Sequence, residues 1–422
     1  MEEGVLADIS GIPMPNLFQA PEELVHVINV LNAGGYGSWI VGGAVRDAIL
    51  GLNPKEYDIC TTATPEEIVE SFEDTIPTGI RYGTITVRCG DSMFEVTTLR
   101  TEKGYGDGRR PDEVEWGHSL EVDLSRRDFT MNAMAYDLAR GLLHDPFEGR
   151  NDLKEGKLRA VGIAGQRLSE DGLRIMRAYR FMDRGEIGVW LPDSELSDAL
   201  IDNRAMLAMV SIERIWNELE RVILGFNCSM ILERMNRDGI LPTILHTAIP
   251  NNSFEILSTI PADLEARLAI ILRFNSTQEV GKILSDLKAP SKVVKRAKHL
   301  HFLLGHTPSE SEKRIYRAVI SDEVPTHKIL REALGENTKH IEESLQYPHY
   351  VNCLVDGEWI MQRTNLKPGV RLGRLKEWIH RIQIEQNIST LEDMERALCT
   401  IPWQHGEEDE WPRVLWPCPP TH

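Results

Sequence analysis

The chain has 422 residues, of which 41% are hydrophobic and 27% are charged, and this composition supports two to four compact units with hydrophobic cores. It excludes a disordered chain and a membrane protein, because no apolar run approaches the roughly 20 residues that a membrane helix needs. The formal net charge of −18 repels phosphate on average, so any contact with nucleic acid requires a local basic patch.

The N-terminus and the cysteines predict a cytoplasmic protein. The first residues, MEEGVLADISGIP, are acidic and lack the basic region of a signal peptide. Six cysteines are scattered along the chain without a CxxC pair, which is typical of reduced thiols and gives no support for a zinc site.

The first 150 residues alternate between helical and strand-like patterns. The predicted elements are a helix over 22–35, strands over Ser38–Val41 and Tyr57–Thr61, a helix that begins at Thr64-Pro65, and strands over Thr84–Cys89 and Phe94–Leu99. Gly90-Asp91-Ser92 is a turn signal, so the last two strands form a hairpin. The sequence therefore predicts a mixed α/β region with a small sheet.

From about residue 151 the strand pattern fades and apolar residues recur at helical spacing. The predicted helical segments are EDGLRIMRAYRFM, SDALIDNRAMLAMV, IERIWNELERVIL, LEARLAIILRF and SKVVKRAKHLHFLL. Breaks are expected at Leu241–Pro242 and at Pro250–Ser253. The C-terminal end is acidic and then rich in Pro and Trp, which predicts an irregular segment that packs onto the body or stays mobile.

Three carboxylates are candidates for a metal site. Glu56 and Asp58 are two residues apart on a predicted strand, so both side chains leave the same face, and Glu95 on the neighbouring hairpin can reach the same place. Such acids repel one another unless a cation neutralises them, and oxygen ligands of this kind suit Mg²⁺, which shares its shell with substrate phosphates. In a two-metal site they would activate a 3′-hydroxyl and stabilise the leaving pyrophosphate. The alternative is three solvated surface carboxylates.

A glycine turn precedes these acids. Gly42 and Gly43 follow a predicted strand and begin a helix, where backbone N–H groups can approach a phosphate and the helix adds its positive end. Arg46, one turn into that helix, can contact phosphate or pair with Asp47. The alternative is an ordinary turn.

Two further blocks carry arginines beside carboxylates and amides. In RRDFTMNA, Arg126 and Arg127 can meet a triphosphate, Asp128 can accept from ribose hydroxyls, and Asn132 falls on the same helix face as Asp128. The alternative for this block is an Asp N-cap with two solvated arginines. Upstream, GYGDGRRP contains Arg109 and is typical of a mobile cationic loop.

The second block is EDGLRIMR, in which Asp171, Arg174 and Arg177 recur every three residues and so share one side of a predicted helix. An Arg with parallel donors and an Asp with acceptors can imitate the hydrogen-bonding edge of a nucleic-acid base. Such a pair would select a nucleotide without a template. The alternative is a salt-bridged helix face.

In order and spacing these blocks resemble the class II tRNA nucleotidyltransferases, the CCA-adding enzymes related to bacterial poly(A) polymerases. The resemblance is strong over residues 36–225 and weaker beyond. It rests on GGAVRD, the acid pair with CTTATPEEI, GTITV with FEVTTLRT, DGRRPDEVEW, DLSRRDFTMNAMAYD, DPFEGRNDLKEGKLRAVG, EDGLRIMRAYRF and ERIWNEL.

The resemblance implies an α+β protein with a polymerase-beta-like nucleotidyltransferase head, followed by an all-helical neck, body and tail. The implied domains are residues 1–150, 151–225, 226–310 and 311–422. The implied activity is addition of C, C and A to tRNA 3′ ends from CTP and ATP.

The resemblance also implies residue roles. Glu56 and Asp58 would hold Mg²⁺, and Gly42, Gly43 and Arg46 would bind triphosphate. Arg126, Arg127 and Asp128 would meet ribose and phosphates. Asp171 and Arg174 would read the base with support from Arg177, and the loop containing Arg109 would help the switch from CTP to ATP.

The chain departs from the family pattern at two places. The family has Asp-x-Asp where this chain has Glu56-Tyr57-Asp58, and the longer side chain is expected to lower the rate or to favour Mn²⁺, because octahedral Mg²⁺ is geometrically demanding. Some relatives carry a His-Asp phosphohydrolase signature where this chain has Arg273-Phe274, so no added metal-dependent phosphatase is expected.

Two basic groups are candidate contacts to the tRNA backbone. They are Lys282, Lys288, Lys292, Lys295, Arg296 and Lys298, and further on Arg363, Lys367, Arg371, Arg374, Lys376 and Arg381. Ordinary solvated helix faces are the alternative. The chain is expected to be a monomer or a dimer.

Three functions are compatible with these patterns. A CCA-adding enzyme is the leading interpretation. A poly(A) polymerase or a partial enzyme that adds only CC or only A has the same chemistry. A catalytically impaired tRNA-binding homologue is the third, and Glu56 is its only support.

Overall fold

The computed structural model describes residues 11–103, 113–117, 119–250, 254–349 and 351–417. Arg109 lies outside the described residues. The chain divides into two compact units, the first formed by Met1–Asn252 with Leu287–Ala289 and the second by Ser253–Asp286 with Pro290–His422. The four implied domains are finer than this division and stay predictions.

The first unit contains the sheet structure. Its strands are β1 (Ile12–Pro13), β2 (Ser38–Val41), β3 (Asp58–Thr61), β4 (Thr75–Gly79), β5 (Thr84–Cys89), β6 (Ser92–Thr98), β7 (Arg100–Lys103), β8 (Glu113–Trp116), β9 (Ala135–Asp137), β10 (Leu142–His144), β11 (Lys157–Leu158) and β12 (Leu191–Pro192). Eight of them form a mixed sheet in the order β1-β10-β9-β2-β3-β6-β5-β4. In this sheet β3 and β6 are parallel and the other neighbours are antiparallel.

The sheet is larger than the predicted one. The hairpin of β5 and β6 is confirmed, with Cys89 paired to Ser92 across the turn. Four strands of this sheet were not predicted: β1, β4, β9 and β10, which are two to five residues long. Segments this short carry too few alternations to show a period of two, and they are held by pairing to neighbours that are distant in sequence.

The centre of the sheet is buried on both faces. All four residues of β2 are buried. Trp39, Val41 and Cys60 pack with Leu99 and Leu120 in one hydrophobic core cluster. This packing holds the C-terminal end of β2 and the start of β3 side by side, since Val41 pairs with Asp58. The glycine turn and the carboxylates are therefore placed on a rigid edge.

The helices of the first unit are α1 (Glu22–Ala33), α2 (Gly43–Ile49), α3 (Pro65–Ser71), α4 (Leu120–Ser125), α5 (Gly149–Glu155), α6 (Ala164–Glu170), α7 (Leu173–Met182), α8 (Ser194–Asp202), α9 (Ile212–Leu224), α10 (Cys228–Arg237) and α11 (Ile240–Leu245). Those of the second unit are α12 (Leu264–Ile271), α13 (Thr277–Asp286), α14 (Ser291–Leu303), α15 (Lys313–Ile320), α16 (Val324–Ala333), α17 (Lys339–Ser344), α18 (Gly357–Thr364), α19 (Val370–Gln386) and α20 (Leu391–Thr400).

The helical prediction for the later part of the chain is confirmed, with two exceptions. The break expected at Leu241–Pro242 is wrong, because Pro242 lies in the first turn of α11, where a missing N–H costs no intrahelical hydrogen bond. The short strands β11 and β12 pair in parallel within the otherwise helical region. No helix of the described residues combines the length and apolar composition that a membrane span needs.

The C-terminal segment is irregular, as predicted, and it packs onto the second unit. Trp411 is 6% exposed and joins the core that α18, α19 and α20 form around Ile360, Leu375 and Met394. Trp416 is also 6% exposed, and its ring centroid lies 4.7 Å from that of Tyr316. Two buried indoles therefore fix this segment in place.

Candidate active site

A polar cleft of about 550 Å³ lies within the first unit, a volume in the usual range of about 300–1,000 Å³ for small-molecule sites. It is lined by Gly42, Gly43, Arg46, Glu56, Asp58, Arg126, Arg127, Asp128, Asn132, Asp171, Leu173, Arg174, Arg177, Arg180, Phe181 and Arg214. Seven arginines and four carboxylates are in this lining, although the whole chain has a net charge of −18. The cleft is the kind of basic patch that an acidic protein needs in order to bind phosphates.

The glycine turn lies at one wall of the cleft. Gly42 has φ +70°, and a Cβ there would lie 3.1 Å from Nη1 of Arg127, so both the backbone and the space favour glycine. The first intrahelical bond of α2 runs from the N–H of Arg46 to the carbonyl of Gly42 at 3.2 Å. The N–H groups of Gly43 and Ala44 precede that bond, so they face the end of the helix as donors.

Arg46 pairs with Asp47, which is the second of its two predicted partners. Its Nε and Nη2 donate to Oδ1 of Asp47 at 2.9 and 2.7 Å, and its Nη1 donates to Oδ1 of Asn132 at 2.9 Å. The guanidinium is thereby held at the cleft wall in one orientation.

The predicted carboxylates come together at the edge of the sheet. Asp58 begins β3 and pairs in register with Glu95 of the parallel strand β6, so both side chains leave the same face. Glu56 lies in the loop before β3, so its predicted place on a strand is wrong, although it lines the cleft beside Asp58. Glu95 is not part of the cleft lining, but its charge acts on Asp58.

Like charges at this edge are only partly balanced. Loss of hydration raises the pKa of Asp58, the charge of Glu95 raises it further, Arg127 opposes this rise and Glu56 adds to it. Two carboxylates therefore repel Asp58 against one attracting arginine. The donor set consists of hard oxygen ligands with uncompensated negative charge, which fits a divalent cation.

The residue types at the cleft suit a divalent cation, but the oxygen atoms of the described residues there do not form a compact group of three ligand atoms. In the described part of the chain, the one group of three ligand atoms within 4.8 Å of one another is Glu310, His340 and Glu343, far along the sequence in the second unit. There Nζ of Lys313 lies 2.5 Å from Glu310 and 2.7 Å from Glu343, so a lysine already supplies the positive charge. Among the described residues, the lining of the cleft contains no lysine.

Arg126 and Arg127 are positioned by Asp123, a buried residue that the sequence analysis did not single out. Asp123 accepts from Nε and Nη2 of Arg126 at 2.9 and 2.7 Å and from Nη2 of Arg127 at 3.5 Å. Burial by itself would raise the pKa of Asp123, but the two arginines lower it below its usual value. The carboxylate therefore stays ionised and presents both guanidinium groups to the cleft.

Asp128 connects the segment of residues 126–132 to helix α7. Its Oδ2 accepts from Nε of Arg177 at 2.7 Å, and its Oδ1 accepts from the N–H of Phe129 at 2.8 Å and from Nδ2 of Asn132 at 3.2 Å. Burial would raise the pKa of Asp128, and these contacts instead lower it. Asn132 reaches Asp128 from a 3₁₀ turn, so the predicted α-helical face is wrong although the contact exists.

Asp171 and Arg174 line the same cleft, but the prediction that they share a helix face is wrong. Asp171 follows α6 in an extended conformation and precedes α7. The first residue of α7, Leu173, donates its N–H to Oδ1 of Asp171 at 3.0 Å. Nη2 of Arg214 donates to the other oxygen at 2.7 Å. The carboxylate is thus fixed by a helix end and by an arginine 43 residues away.

Arg174 is held by hydrogen bonds to α6 and to the main chain of Arg126. Its Nη1 donates to Oε2 of Glu170 at 2.6 Å and to the carbonyl of Arg167 at 2.8 Å, and its Nη2 donates to the carbonyl of Arg126 at 2.9 Å. Groups predicted to read the base are therefore bonded to groups predicted to meet the phosphates. The two functions share one rigid network.

Four lining residues were missed: Leu173, Arg180, Phe181 and Arg214. Phe181 follows Arg174 and Arg177 at helical spacing, and this spacing could have identified it. The guanidinium of Arg180 lies 4.1 Å and that of Arg177 5.1 Å from the centre of the Phe181 ring. Burial lowers the pKa of Arg180 to about 10 against the opposing charge of Glu218, so the guanidinium stays protonated at neutral pH.

The candidate RNA-binding residues of the second unit fall into two kinds. Lys292 and Lys295 are exposed and line a groove of about 500 Å³ with His299. Arg296 lines the same groove, but its guanidinium is bound by three carboxylates, which are Asp263 at 2.7 Å, Glu265 at 3.0 Å and Glu323 at 2.6 Å. Arg371 and Arg374 of α19 are also paired with acids, whereas Lys376 forms no ion pair with the residues that the structure describes.

Comparison with known proteins places these features in a family. Residues 38–159 match the family described as "Poly A polymerase head domain". The CCA-adding enzyme of Lactobacillus helveticus is 32% identical over 387 residues, which are 87% of this chain and 94% of that protein.

Solved structures have the same fold. The CCA-adding enzyme of Bacillus stearothermophilus in complex with CTP superimposes with a TM-score of 0.75 at 26% identity, over 92% of this chain and 98% of that one. The CCA-adding enzyme of Thermotoga maritima complexed with tRNA_CCA superimposes with a TM-score of 0.64 at 19% identity, over 90% and 95% of the two chains.

Proposed function

The chain belongs to the family of CCA-adding enzymes, and from this premise we propose that its cleft adds C, C and A to the 3′ end of tRNA. The substrates are CTP and ATP, and pyrophosphate is released. The observation that carries the proposal is the cleft itself, where unbalanced carboxylates, a left-handed glycine turn and a ring of arginines meet in one cavity.

Asp58 and Glu56 are the proposed metal ligands, with Glu95 adding negative charge beside Asp58. A divalent cation bound here would lower the pKa of the attacking 3′-hydroxyl and neutralise charge on the leaving pyrophosphate. We propose Mg²⁺, with Mn²⁺ as the cation that better tolerates the longer Glu56 side chain, because Mg²⁺ demands near-ideal octahedral geometry.

The triphosphate is proposed to lie against the glycine turn. Gly42 carries no side chain between the backbone and the cleft, the N–H groups at the start of α2 can donate, and Arg127 lies next to Gly42. Arg126 and Arg127 are presented by Asp123 and so lose little side-chain entropy when a phosphate arrives.

Asp171 and Arg174 are proposed to select the base. Both are fixed before the nucleotide enters, the first by Arg214 and the N–H of Leu173 and the second by Glu170 and the carbonyl of Arg126. A pre-positioned carboxylate and guanidinium discriminate between bases through the cost of an unpaired buried polar group.

Incubation with tRNA that lacks its CCA end, with CTP and ATP in Mg²⁺ and then in Mn²⁺, tests the proposal. Sequenced product ends that read CCA support it. Homopolymeric A ends would indicate a poly(A) polymerase, and CC or single A ends a partial enzyme. Unchanged ends in both metals would leave only the impaired tRNA-binding homologue.

Glu56→Asp provides the sharper test of the metal site. The shorter carboxylate restores the family pattern, so we expect the Mg²⁺-dependent rate of CTP incorporation to rise about three- to tenfold and the ratio of Mn²⁺ to Mg²⁺ rates to fall. Glu66→Asp, which shortens an exposed carboxylate of α3 outside the cleft lining, is a control for the change in length. A wild-type protein without any incorporation beside an active Glu56→Asp variant would contradict the catalytic proposal.

A further inference from the structure

The arginine-bearing surface of α19 is covered by the chain's own acidic C-terminal segment. We call residues 404–410, which read QHGEEDE, the acidic loop. It contains four consecutive acids, Glu407 to Glu410, and passes over Arg371 and Arg374. These two arginines are among the candidate contacts to the tRNA backbone.

The contacts of Arg371 are nearly all made to the acidic loop and its borders. Its Nη1 donates to Oε2 of Glu408 at 3.0 Å, and its Nη2 donates to the carbonyls of Trp403 at 3.0 Å and Gly406 at 3.4 Å. The guanidinium also lies 4.7 Å from the ring centre of Trp411. The loop thus occupies the donor fork that a phosphate would take.

Arg374 is covered less tightly. Its Nη2 lies 3.3 Å from Oδ1 of Asp409, and its Nη1 donates to Glu377 of the same helix at 3.3 Å. The Asp409 side chain is 82% exposed. A surface pair of this kind is weak, because water solvates both charges and salt screens them.

Buried indoles hold the loop at its far end. Trp411 is 6% exposed, and its ring centroid is 5.6 Å from that of Trp378 on α19. Trp403 at the near end packs partly buried against the same core. A tether at both ends keeps the acids at a high effective concentration over the arginines, even though each ion pair is weak.

We propose that the acidic loop is a built-in competitor for a phosphate-binding surface formed by Arg371 and Arg374. When tRNA binds, its backbone phosphates replace Glu408 and Asp409 on the two arginines, while the indoles keep the loop attached. This inference rests on the proposed function, because tRNA is the polyanion that the surface takes. Because Glu408 and Asp409 compete for the two arginines, the surface binds short anions weakly, since a short anion cannot replace both acids at once.

The chain offers a matched pair of variants. Glu408→Gln with Asp409→Asn removes the two acids that contact the arginines. Glu407→Gln with Glu410→Gln removes the same amount of charge from the same loop, and among the described residues Glu407 and Glu410 form no ion pair. Any effect of net charge alone is therefore equal in the two variants.

Equilibrium binding of tRNA lacking its CCA end, measured by fluorescence anisotropy over a range of salt, tests the proposal. We expect the first variant to bind about three- to tenfold more tightly than the second, as weak surface pairs released from competition predict. We also expect the slope of log K against log salt to be steeper by about 1 to 2, for one or two added phosphate contacts. Equal affinities, or weaker binding by the first variant, would overturn the proposal.

Two controls separate this inference from the proposed function. Addition of CTP to tRNA is measured for wild type and both variants, so a failure of the proposed function is visible as absent addition, whereas a failure of this inference leaves addition intact with equal affinities. Urea unfolding followed by tryptophan fluorescence checks the fold. If the first variant loosens the second unit, Asp409→Asn alone is compared with Glu410→Gln, because the exposed Asp409 side chain contributes little to folding.

Discussion

The carboxylate group of Glu56, Asp58 and Glu95 at the cleft and the arginine network of the second unit differ in how far their charges are balanced. In the second unit, Arg296 is bound by three carboxylates and Lys313 by two, so each cation meets its acids within the protein. At the cleft, Asp58 faces Glu95 and Glu56 with only Arg127 in opposition. Carboxylates that lack enough neighbouring cations indicate a site for a positively charged ligand. Carboxylates that are fully paired with arginine or lysine indicate a role in stabilising the fold.

Among the variants that test this difference, Asp58→Asn is expected to have the largest effect, and the effect is on the rate of nucleotide addition. Loss of a metal ligand removes several kcal/mol of transition-state stabilisation, so the single-turnover rate of CTP incorporation should fall about 10³-fold. The free energy of unfolding should stay level or rise slightly, because the substitution removes repulsion from Glu95. Asp91→Asn, at the β5–β6 turn of the same sheet, is the control. A rate within threefold of wild type would rule out the metal role of Asp58.

His327 is expected to make the stability of the second unit depend on pH between about pH 4 and 6.5. His327 is fully buried, with its Nδ1 3.0 Å from Oη of Tyr316, and burial with the nearby charge of Arg331 lowers its pKa to about 4. Below pH 6.5 the unfolded chain takes up a proton that the native state refuses. The contribution of His327 to stability should therefore be complete above pH 6.5 and be lost at about 1.4 kcal/mol per pH unit toward pH 4, about 3 kcal/mol in all.

Thermal unfolding of wild type and His327→Gln across pH 4–7 measures this effect. The glutamine can still accept from Tyr316 but does not titrate, so its stability should depend less on pH in this window by about one proton. Parallel curves for the two proteins would show that His327 is not the group responsible.

Asp263→Asn tests the second unit, where the carboxylates are paired with Arg296. Asp263 caps α12 by accepting from the N–H of Ala266 at 3.0 Å, and both of its oxygens accept from Arg296. Loss of the charge-assisted bonds should cost about 2 kcal/mol of unfolding free energy in urea. The sign is opposite to that expected for Asp58→Asn. If Asp263→Asn left the unfolding free energy unchanged or raised it, the proposed difference between the paired and the unpaired carboxylates would be wrong.

Gly42→Ala gives the smallest expected effect and has a matched control in its neighbour. At Gly42 a Cβ meets Arg127 at 3.1 Å and φ is +70°, whereas at Gly43 the nearest atom is Nη2 of Arg46 at 3.7 Å. We expect Gly42→Ala to lower the unfolding free energy by about 1–2 kcal/mol and Gly43→Ala to change it by less than about 0.5 kcal/mol. Similar values for both would show that the turn at Gly42 relaxes freely.

Much of the cleft could be predicted because its chemistry is local in sequence. Gly42, Arg126 and Asp171 each lie in a short block whose residue types already suit phosphate, ribose or base, and the lining contains all of the described residues predicted to bind nucleotide. What the sequence did not predict was how these blocks are joined. Glu218 and Arg214 are ordinary charged residues on a helix until folding brings them to Arg180 and Asp171. Asp123, in contrast, is three and four residues from Arg126 and Arg127, a local spacing that could have identified it.

The second unit shows the opposite outcome. The sequence reports that α19 carries several arginines and that the C-terminal end is acidic, but these segments are about 35 residues apart and have no local pattern that links them. The arginines therefore looked free to meet RNA, whereas the structure pairs Arg371 with Glu408 and Arg374 with Asp409.

By itself the sequence determined the residue types of the cleft, the helical second half and the family, because catalytic motifs and amphipathic periods lie within short stretches of chain. Only the tertiary structure decided which charges are neutralised. Coulomb energy depends on distance through space, and packing of β2 against β3 and of Trp411 against α19 sets those distances. Asp58 was thereby left facing other acids, and Arg371 was covered by one.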